Sequence, residues 1–126
     1  MFFSEHLRDI NLADYSRIAV AFSGGLDSSV LLHSLASIPE YKERVFAIHV
    51  NHGLSPNSKS WIKHCEKFCR VLGVNFIPLT IELENSKTNE NILRQARYEA
   101  FFSCLEKGDV LCTAHHQDDH IETILF

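Results

Sequence analysis

Apolar positions along the chain alternate between short β-branched runs and longer segments with apolar residues three or four apart, the signatures of strands and amphipathic helices in turn. Arg17 to Phe22 (RIAVAF) reads as a buried strand, and the turn Ser23-Gly24-Gly25 leads into a helix from about Leu26 to Ser37 that Pro39 ends. Arg44 to Val50 (RVFAIHV) is a second strand. A helix runs from near Pro56 to about Leu72 and is closed by Gly73, in the position after a helix that glycine favours. Val74 to Ile81 is a third strand. Thr88 to about Lys107 is a helix stopped by Gly108, and Asp109 to Thr113 (DVLCT) is a fourth, short strand leading into a last helix.

Strand and helix in alternation, joined by a few residues, predict an α/β fold: a parallel β-sheet with helices on both faces, Rossmann-like, built from right-handed βαβ units. Ligands in such sheets bind beyond the carboxyl ends of the strands, near the point where strand order reverses. The segments after the four strands are Ser23 to Ser28, Asn51 to Ser55, Glu82 to Lys87 and Ala114 to Asp119. Three of them are rich in Gly, His, Asp and Asn, so the chemistry is expected to converge on one edge.

A chain of 126 residues, 45% hydrophobic, is large enough to bury one core, and a single domain over 1–126 is expected. No apolar run approaches the roughly 20 residues that span a bilayer, and Met1 to His6 lacks a basic segment followed by an apolar one. A cytoplasmic protein with no membrane partner is expected. Cys65, Cys69, Cys104 and Cys112 show no C-x-x-C spacing and read as reduced thiols, although Cys65 and Cys69 lie one helical turn apart and leave a metal pair open. The net charge of −4 carries no global footprint of a nucleic-acid binder, so an RNA substrate would have to be gripped largely from elsewhere. Ile121 to Phe126 runs apolar without Gly, Pro or a cap, and the chain is expected to stop inside an element of a longer protein.

Ser23-Gly24-Gly25-Leu26-Asp27-Ser28-Ser29 stands between a buried strand and a helix start, where backbone N–H groups and the helix dipole favour an anion. The glycines let the backbone approach phosphate oxygens, and the hydroxyls of Ser23, Ser28 and Ser29 can donate to them. Asp27 would repel a phosphate unless a cation lay between them, so a Mg²⁺ bridging Asp27 and the phosphates is inferred. The bare S-G-G reads more readily as a tight strand-to-helix turn with a Ser or Asp cap, since Gly and Ser punctuate many loops. With no Lys after the glycines, the string is neither G-x-x-x-x-G-K-[ST] nor G-x-G-x-x-G.

In this setting S-G-G-x-D-S resembles the PP-loop of N-type ATP pyrophosphatases, which hold the β- and γ-phosphates of ATP and release them as pyrophosphate, on an adenine nucleotide alpha hydrolase-like fold. Three further strings follow in order: His49-Val50-Asn51-His52-Gly53-Leu54-Ser55, Asn91-Ile92-Leu93-Arg94-Gln95-Ala96-Arg97-Tyr98, and Thr113-Ala114-His115-His116-Gln117-Asp118-Asp119-His120-Ile121-Glu122-Thr123. Together they resemble the pattern of the tRNA(Ile)-lysidine synthases from Arg17 to Phe126.

That resemblance implies roles. Ser23, Gly24, Gly25, Leu26, Asp27, Ser28, Ser29 and His52 would bind ATP, with Phe22 and His52 packing around the nucleoside. Asp27 would hold Mg²⁺. Arg94 or Arg97, three apart on one helix, would face the α-phosphate or the substrate base, with a solvated basic face or an RNA-backbone contact as the other uses. His115 would lie near the α-phosphate, while the His115-His116 pair beside Asp118 also suits a metal. Asp119 and Glu122, at the start of the expected last helix, share a face; acids there either complement the dipole or, by resemblance, hold free lysine, with Asp118 serving instead of or beside Asp119. Where many relatives carry Gln after the paired acids, this chain has His120. Lys59, Lys63, Lys67 and Arg70 form either a solvated surface or an RNA phosphate track.

The implied reaction joins lysine to C2 of the wobble cytidine in a CAU anticodon of tRNA(Ile) through an adenylated cytidine. The tRNA-selecting domains of such enzymes have no counterpart in these 126 residues. A homodimer is compatible with the reading. The alternatives are another PP-loop tRNA-modifying enzyme such as a thiolase, or an ATP-binding module without turnover.

Overall fold

The computed structural model describes residues 2–6, 11–53, 56–82, 89–114 and 120–126, with the backbone alone considered at 2–6 and 120. Its elements are β1 (Phe2–His6), β2 (Ile18–Ala21), α1 (Leu26–Ala36), a 3-10 turn (Lys42–Arg44), β3 (Val45–Asn51), α2 (Ser58–Leu72), β4 (Asn75–Thr80), α3 (Glu90–Ser103), β5 (Val110–Ala114) and β6 (His120–Leu125). They form one six-stranded sheet in the order β1-β6-β5-β2-β3-β4.

The four strands β5, β2, β3 and β4 are mutually parallel, as the alternating pattern implied. From β2 the chain steps outward to β3 and β4, then returns to place β5 on the other side of β2. Strand order therefore reverses between β2 and β5, and the carboxyl end of β2 is where a ligand is expected.

Both faces of the sheet are covered. Ile18, Val20, Val45, Ala47, Val110 and Cys112 pack with Leu31, Leu32 and Leu35 of α1 and with Cys65 and Cys69 of α2. Ala19, Phe46, Ile48 and Leu111 face the other way, against Phe101 and the half-buried Tyr98 of α3. Alternation along each strand sends successive side chains to opposite faces, so these short runs are apolar throughout.

Burial pushes the Cys65 thiol up to about 11 and Cys69, which also feels Cys65, up to about 12. Both stay protonated and serve as small core residues. Gly73 caps α2 in the left-handed conformation (φ 74°), as its position after Leu72 implied.

Two departures from the pattern lie at the sheet's antiparallel side. β1 was not foreseen in the first residues. The expected last helix is instead β6, which hydrogen-bonds β5 on one side and β1 on the other, both antiparallel. Ile121, Thr123 and Ile124 are β-branched and buried, which suits a strand, and β5 otherwise offers an unpaired edge; two ladders outweigh a helix without a cap. α3 is also shorter than expected, ending at Ser103 rather than near Lys107, because a tight connection through Gly108 (φ 97°) turns the chain into β5.

The opposite, amino end of the central strands is clasped by one ion pair. Arg17, just before β2, reaches Asp109, just before β5, through Nη2 to Oδ2 at 2.6 Å and Nε to Oδ1 at 3.1 Å. The guanidinium also donates to the Cys104 carbonyl (3.2 Å) and lies over the Phe46 ring, 4.7 Å from its centre. Asp109 is 1% exposed. Burial opposes its ionisation, but hydrogen bonds from Arg17 and the Glu106 amide, with the Arg17 charge, outweigh that and hold the carboxyl below its ordinary 3.8.

Replacing Arg17 by Met strands a buried carboxylate and is expected to cost about 2 kcal/mol in urea unfolding at pH 7, toward the low side for such losses because the guanidinium is 40% exposed. A folded carboxyl held low stabilises fully above its unfolded value and loses that contribution as the pH falls toward the folded one. The stability gap between wild type and R17M should therefore shrink as the pH drops below 3.8, and a gap constant through that range would refute the assignment.

Candidate active site

The phosphate-loop string begins where β2 ends. The Phe22 amide still donates to the Ile48 carbonyl (2.9 Å) and its ring stacks on Phe68 (5.4 Å between centres), so the chain is pinned up to the residue before the loop. Ser28 then folds the loop back on itself: its buried hydroxyl accepts from the Ser23 amide (3.1 Å), pairs with the Ser23 hydroxyl (3.0 Å) and donates to the Gly25 carbonyl (3.4 Å). The Gly25 amide donates to Ser23 Oγ (3.2 Å).

From outside, α2 holds the same loop. Trp61 Nε1 donates to the Ser23 carbonyl at 2.8 Å, and Cys65 Sγ lies 3.9 Å from that oxygen. Gly24 sits between them with φ 88°, and a Cβ there would come within 2.6 Å of Cys65 Sγ and 2.9 Å of the Trp61 ring. Only glycine satisfies both the left-handed backbone and the close approach.

Gly25 is the N-cap of α1, extended and without a capping side chain. The first helical bond runs from the Ser29 amide to the Gly25 carbonyl (3.1 Å), so the first-turn amides of Leu26, Asp27 and Ser28 precede the ladder at the positive end of the helix. Asp27 lies in that turn.

A cleft of about 770 Å³ opens over this edge of the sheet. Ser23, Gly25, Leu26, Asp27 and Ser28 form its floor at the loop, and Arg94, Arg97, Tyr98 and Phe101 of α3 form one wall. His49 to His52 at the tip of β3 and Asn57, Ser58 and Trp61 at the start of α2 form another, and Thr113, Ala114 and Glu122 complete it beside β5 and β6. Asn51 fixes the β3 tip: its amide donates to Leu79 O (3.3 Å) and Thr80 Oγ1 (3.2 Å), and its oxygen accepts from the Gly53 amide (3.0 Å).

The cleft thus collects most residues singled out from the sequence: Phe22, Ser23, Gly25, Leu26, Asp27, Ser28, His52, Arg94, Arg97 and Glu122. Gly24 and Ser29 do not line it; Gly24 is a packing residue against α2 and Ser29 is held in the helix ladder. His115, Asp118 and Asp119 lie outside the described residues. The expected helical face shared by Asp119 and Glu122 is replaced, since Glu122 is carried by β6, opposite Thr113 of β5. By strand alternation Glu122 lies on the side of Ile124, the face on which α3 packs.

On α3 the Arg94 guanidinium stands 5.0 Å from the centre of the Tyr98 ring, and Arg97 Nη2 lies 4.0 Å from Glu90 Oε1. Lys59, Lys63, Lys67 and Arg70 are exposed along α2, with Arg70 bound to Glu66 at 2.7 Å. None of the four cysteines lines the cleft. Trp61 and Tyr98 were not assigned to the site from the sequence. The spacing of Trp61 and Cys65 by one helical turn was the available sign that both face the loop.

Residues 3–126 match the PP-loop domain family. The chain belongs to that family. As a PP-loop domain it is 48% identical over 114 residues to a tRNA(Ile)-lysidine synthase of Legionella pneumophila (strain Paris) and 47% identical over 109 residues to one of Pseudomonas syringae pv. tomato. Those alignments cover 90% and 85% of this chain but 26% and 24% of the relatives, so the chain spans about a quarter of their length. The PP-loop fold is also seen in the NH3-dependent NAD synthetase from Campylobacter jejuni, with a TM-score of 0.55 at 18% identity over 77% of this chain and 46% of that one.

Replacing Trp61 by Phe removes the donor to Ser23 O and should cost about 1 kcal/mol, while Gly24→Ala adds backbone strain and overlap and should cost about 1–3 kcal/mol. Thermal unfolding with and without ATP checks both. A Gly24→Ala protein as stable as wild type, with unchanged ATP binding, would show that the loop is not held as described.

Proposed function

We propose that this PP-loop domain splits ATP between its α- and β-phosphates to adenylate the C2 oxygen of the wobble cytidine in tRNA(Ile) with a CAU anticodon, and that lysine then displaces AMP to give lysidine. The observation that carries this reading is the S-G-G-L-D-S loop at the strand-order reversal, its helix-start amides opening on a cleft that Arg94, Arg97 and Glu122 share. Sequence identity near one half to lysidine synthases over most of the chain supports that substrate class.

In this scheme the α1 amides receive the β- and γ-phosphates, which depart as pyrophosphate. Arg94 and Arg97 face the α-phosphate as the cytidine C2 oxygen attacks it and negative charge develops. Glu122, with Asp118 and Asp119, binds the lysine ammonium and positions the amine that attacks C2 as AMP leaves. His115 assists at the α-phosphate and His52 packs near the nucleoside. An anticodon base has the exposed edge this chemistry needs.

Asp27 is the carboxylate among the loop residues lining the cleft, and one such ligand completed by phosphate oxygens and water suits Mg²⁺, which would offset phosphate charge. Among the described residues no group of three or more His, Cys, Asp or Glu is arranged to hold a metal by itself. A thiolase would bring a cysteine to the reacting base, and none of the four cysteines lines the cleft. Among the described residues no helix is long and apolar enough to cross a membrane, in keeping with a cytoplasmic tRNA-modifying enzyme.

ATP–pyrophosphate exchange that requires the cognate tRNA tests the adenylation step. Asp27→Ala should reduce it about 100-fold or more, and Glu122→Gln should leave exchange near wild type while raising the lysine KM about 10-fold. ATP binding without any exchange would sink the enzymatic reading in favour of a non-catalytic module.

A further inference from the structure

Arg94, Tyr98 and Phe102 stand four apart on α3 and so form one row along its surface. The Arg94 guanidinium carbon lies 5.0 Å from the centre of the Tyr98 ring, and the Phe102 ring centre is 5.8 Å from that of Tyr98. Phe101 adds an edge-to-face contact with Tyr98 at 5.9 Å, the planes 83° apart. The row ends on Phe126, whose ring lies 5.1 Å from that of Phe102. The Phe126 amide donates to the Asp109 carbonyl (3.0 Å), and the Phe126 carbonyl accepts from the Gly108 amide (2.8 Å). Tyr98 also packs, half-buried, against the core residues on that face of the sheet. Its ring is a surface fixed by the sheet as well as by the helix.

Arg94 and Tyr98 line the same cleft as the phosphate loop. Arg94 is exposed and, among the described residues, forms no ion pair, whereas Arg97 on the same wall has Glu90 Oε1 at 4.0 Å. The difference matters at a phosphate. A carboxylate that steadies a guanidinium also cancels part of its charge and competes with the incoming anion. An aromatic face attracts the cation through its quadrupole and brings no negative charge of its own. A long side chain resting on such a ring has also lost part of the rotamer freedom that binding would otherwise remove.

We propose that Tyr98 is a positioning residue for adenylation, its ring holding the Arg94 guanidinium in the cleft with its charge uncompensated for the negative charge that develops on the α-phosphate. The proposal rests on the adenylation reading above and adds to it the group that aims the arginine. Tyr98 acts through the face of its ring, and its hydroxyl has no part.

The test is tRNA-dependent ATP–pyrophosphate exchange, with the maximal rate and the ATP KM measured separately. Tyr98→Leu, apolar but without a ring, should lower the maximal rate about 10-fold with the KM close to wild type. Tyr98→Phe should restore most of that loss. In an Arg94→Ala background, itself about 100-fold slower, Tyr98→Leu should cost nothing further. A ring needed only for packing would slow exchange by the same factor in both backgrounds. Arg94→Lys keeps the charge but not the planar group that stacks, and should fall most of the way to Arg94→Ala. Its position is exposed, so it gives a result even where Tyr98→Leu does not fold.

Equal penalties for Tyr98→Leu with and without Arg94 overturn the proposal. So does a Tyr98→Phe protein as slow as Tyr98→Leu, or wild-type exchange by Arg94→Lys. Each of those results leaves the adenylation reading standing, because wild type still exchanges. Absence of exchange in wild type removes both.

Discussion

Ile18 to Ala21 hydrogen-bond to β3 on one side and to β5 on the other, and the cleft is positioned by that central pairing. Ile18, Ala19 and Val20 have no solvent exposure, so the strand cannot slide by one residue without sending its apolar side chains to the wrong helices. With the register fixed, the carboxyl end of β2 falls beside the tip of β3, and the Phe22 amide extends the ladder to Ile48. The loop then leaves the sheet at a defined height and direction. α1 starts there, and α3 crosses the other face with its arginines at the same level.

On this frame the loop is held from two sides by different chemistry. Inside, serine hydroxyls and amides satisfy one another; outside, an indole N–H and a close-packed thiol fix the Ser23 carbonyl and the Gly24 backbone. A preorganised loop spends little on ordering when an anion arrives, which is the condition for electrostatic stabilisation of a transition state. Cys65 and Cys69, high-lying thiols in the core, contribute shape to this support.

The parallel core was legible in the sequence because its strands are short, apolar on both faces and punctuated by Gly or Pro, and because α2 ends on a left-handed glycine. The tight strand-to-helix turn was legible for a similar reason, in a serine and two glycines between strand and helix, while its reading as a phosphate loop drew on the full S-G-G-L-D-S string and its resemblance. The antiparallel side was not. Ile121 to Phe126 suits either a strand or a buried helix, and what decides it is the open edge of β5 together with β1, contacts that no local pattern records. Trp61 and Tyr98 were passed over because each looks like an ordinary surface or core aromatic until the fold brings it to the cleft. Arg94 and Arg97 entered the site reading through the resemblance, their spacing alone leaving a solvated face open, and the Tyr98 ring under Arg94 is a feature of the folded helix surface.

The bidentate clasp between Arg17 and Asp109 sits at the amino ends of β2 and β5, and the cleft sits at their carboxyl ends. The length of the strands separates the two. Robustness and the candidate site are thus housed at opposite poles of one sheet, so the clasp can be strengthened, or weakened to tolerate change elsewhere, without moving a single group that lines the cleft. A lineage or a designer could therefore trade thermal margin at one pole for altered chemistry at the other.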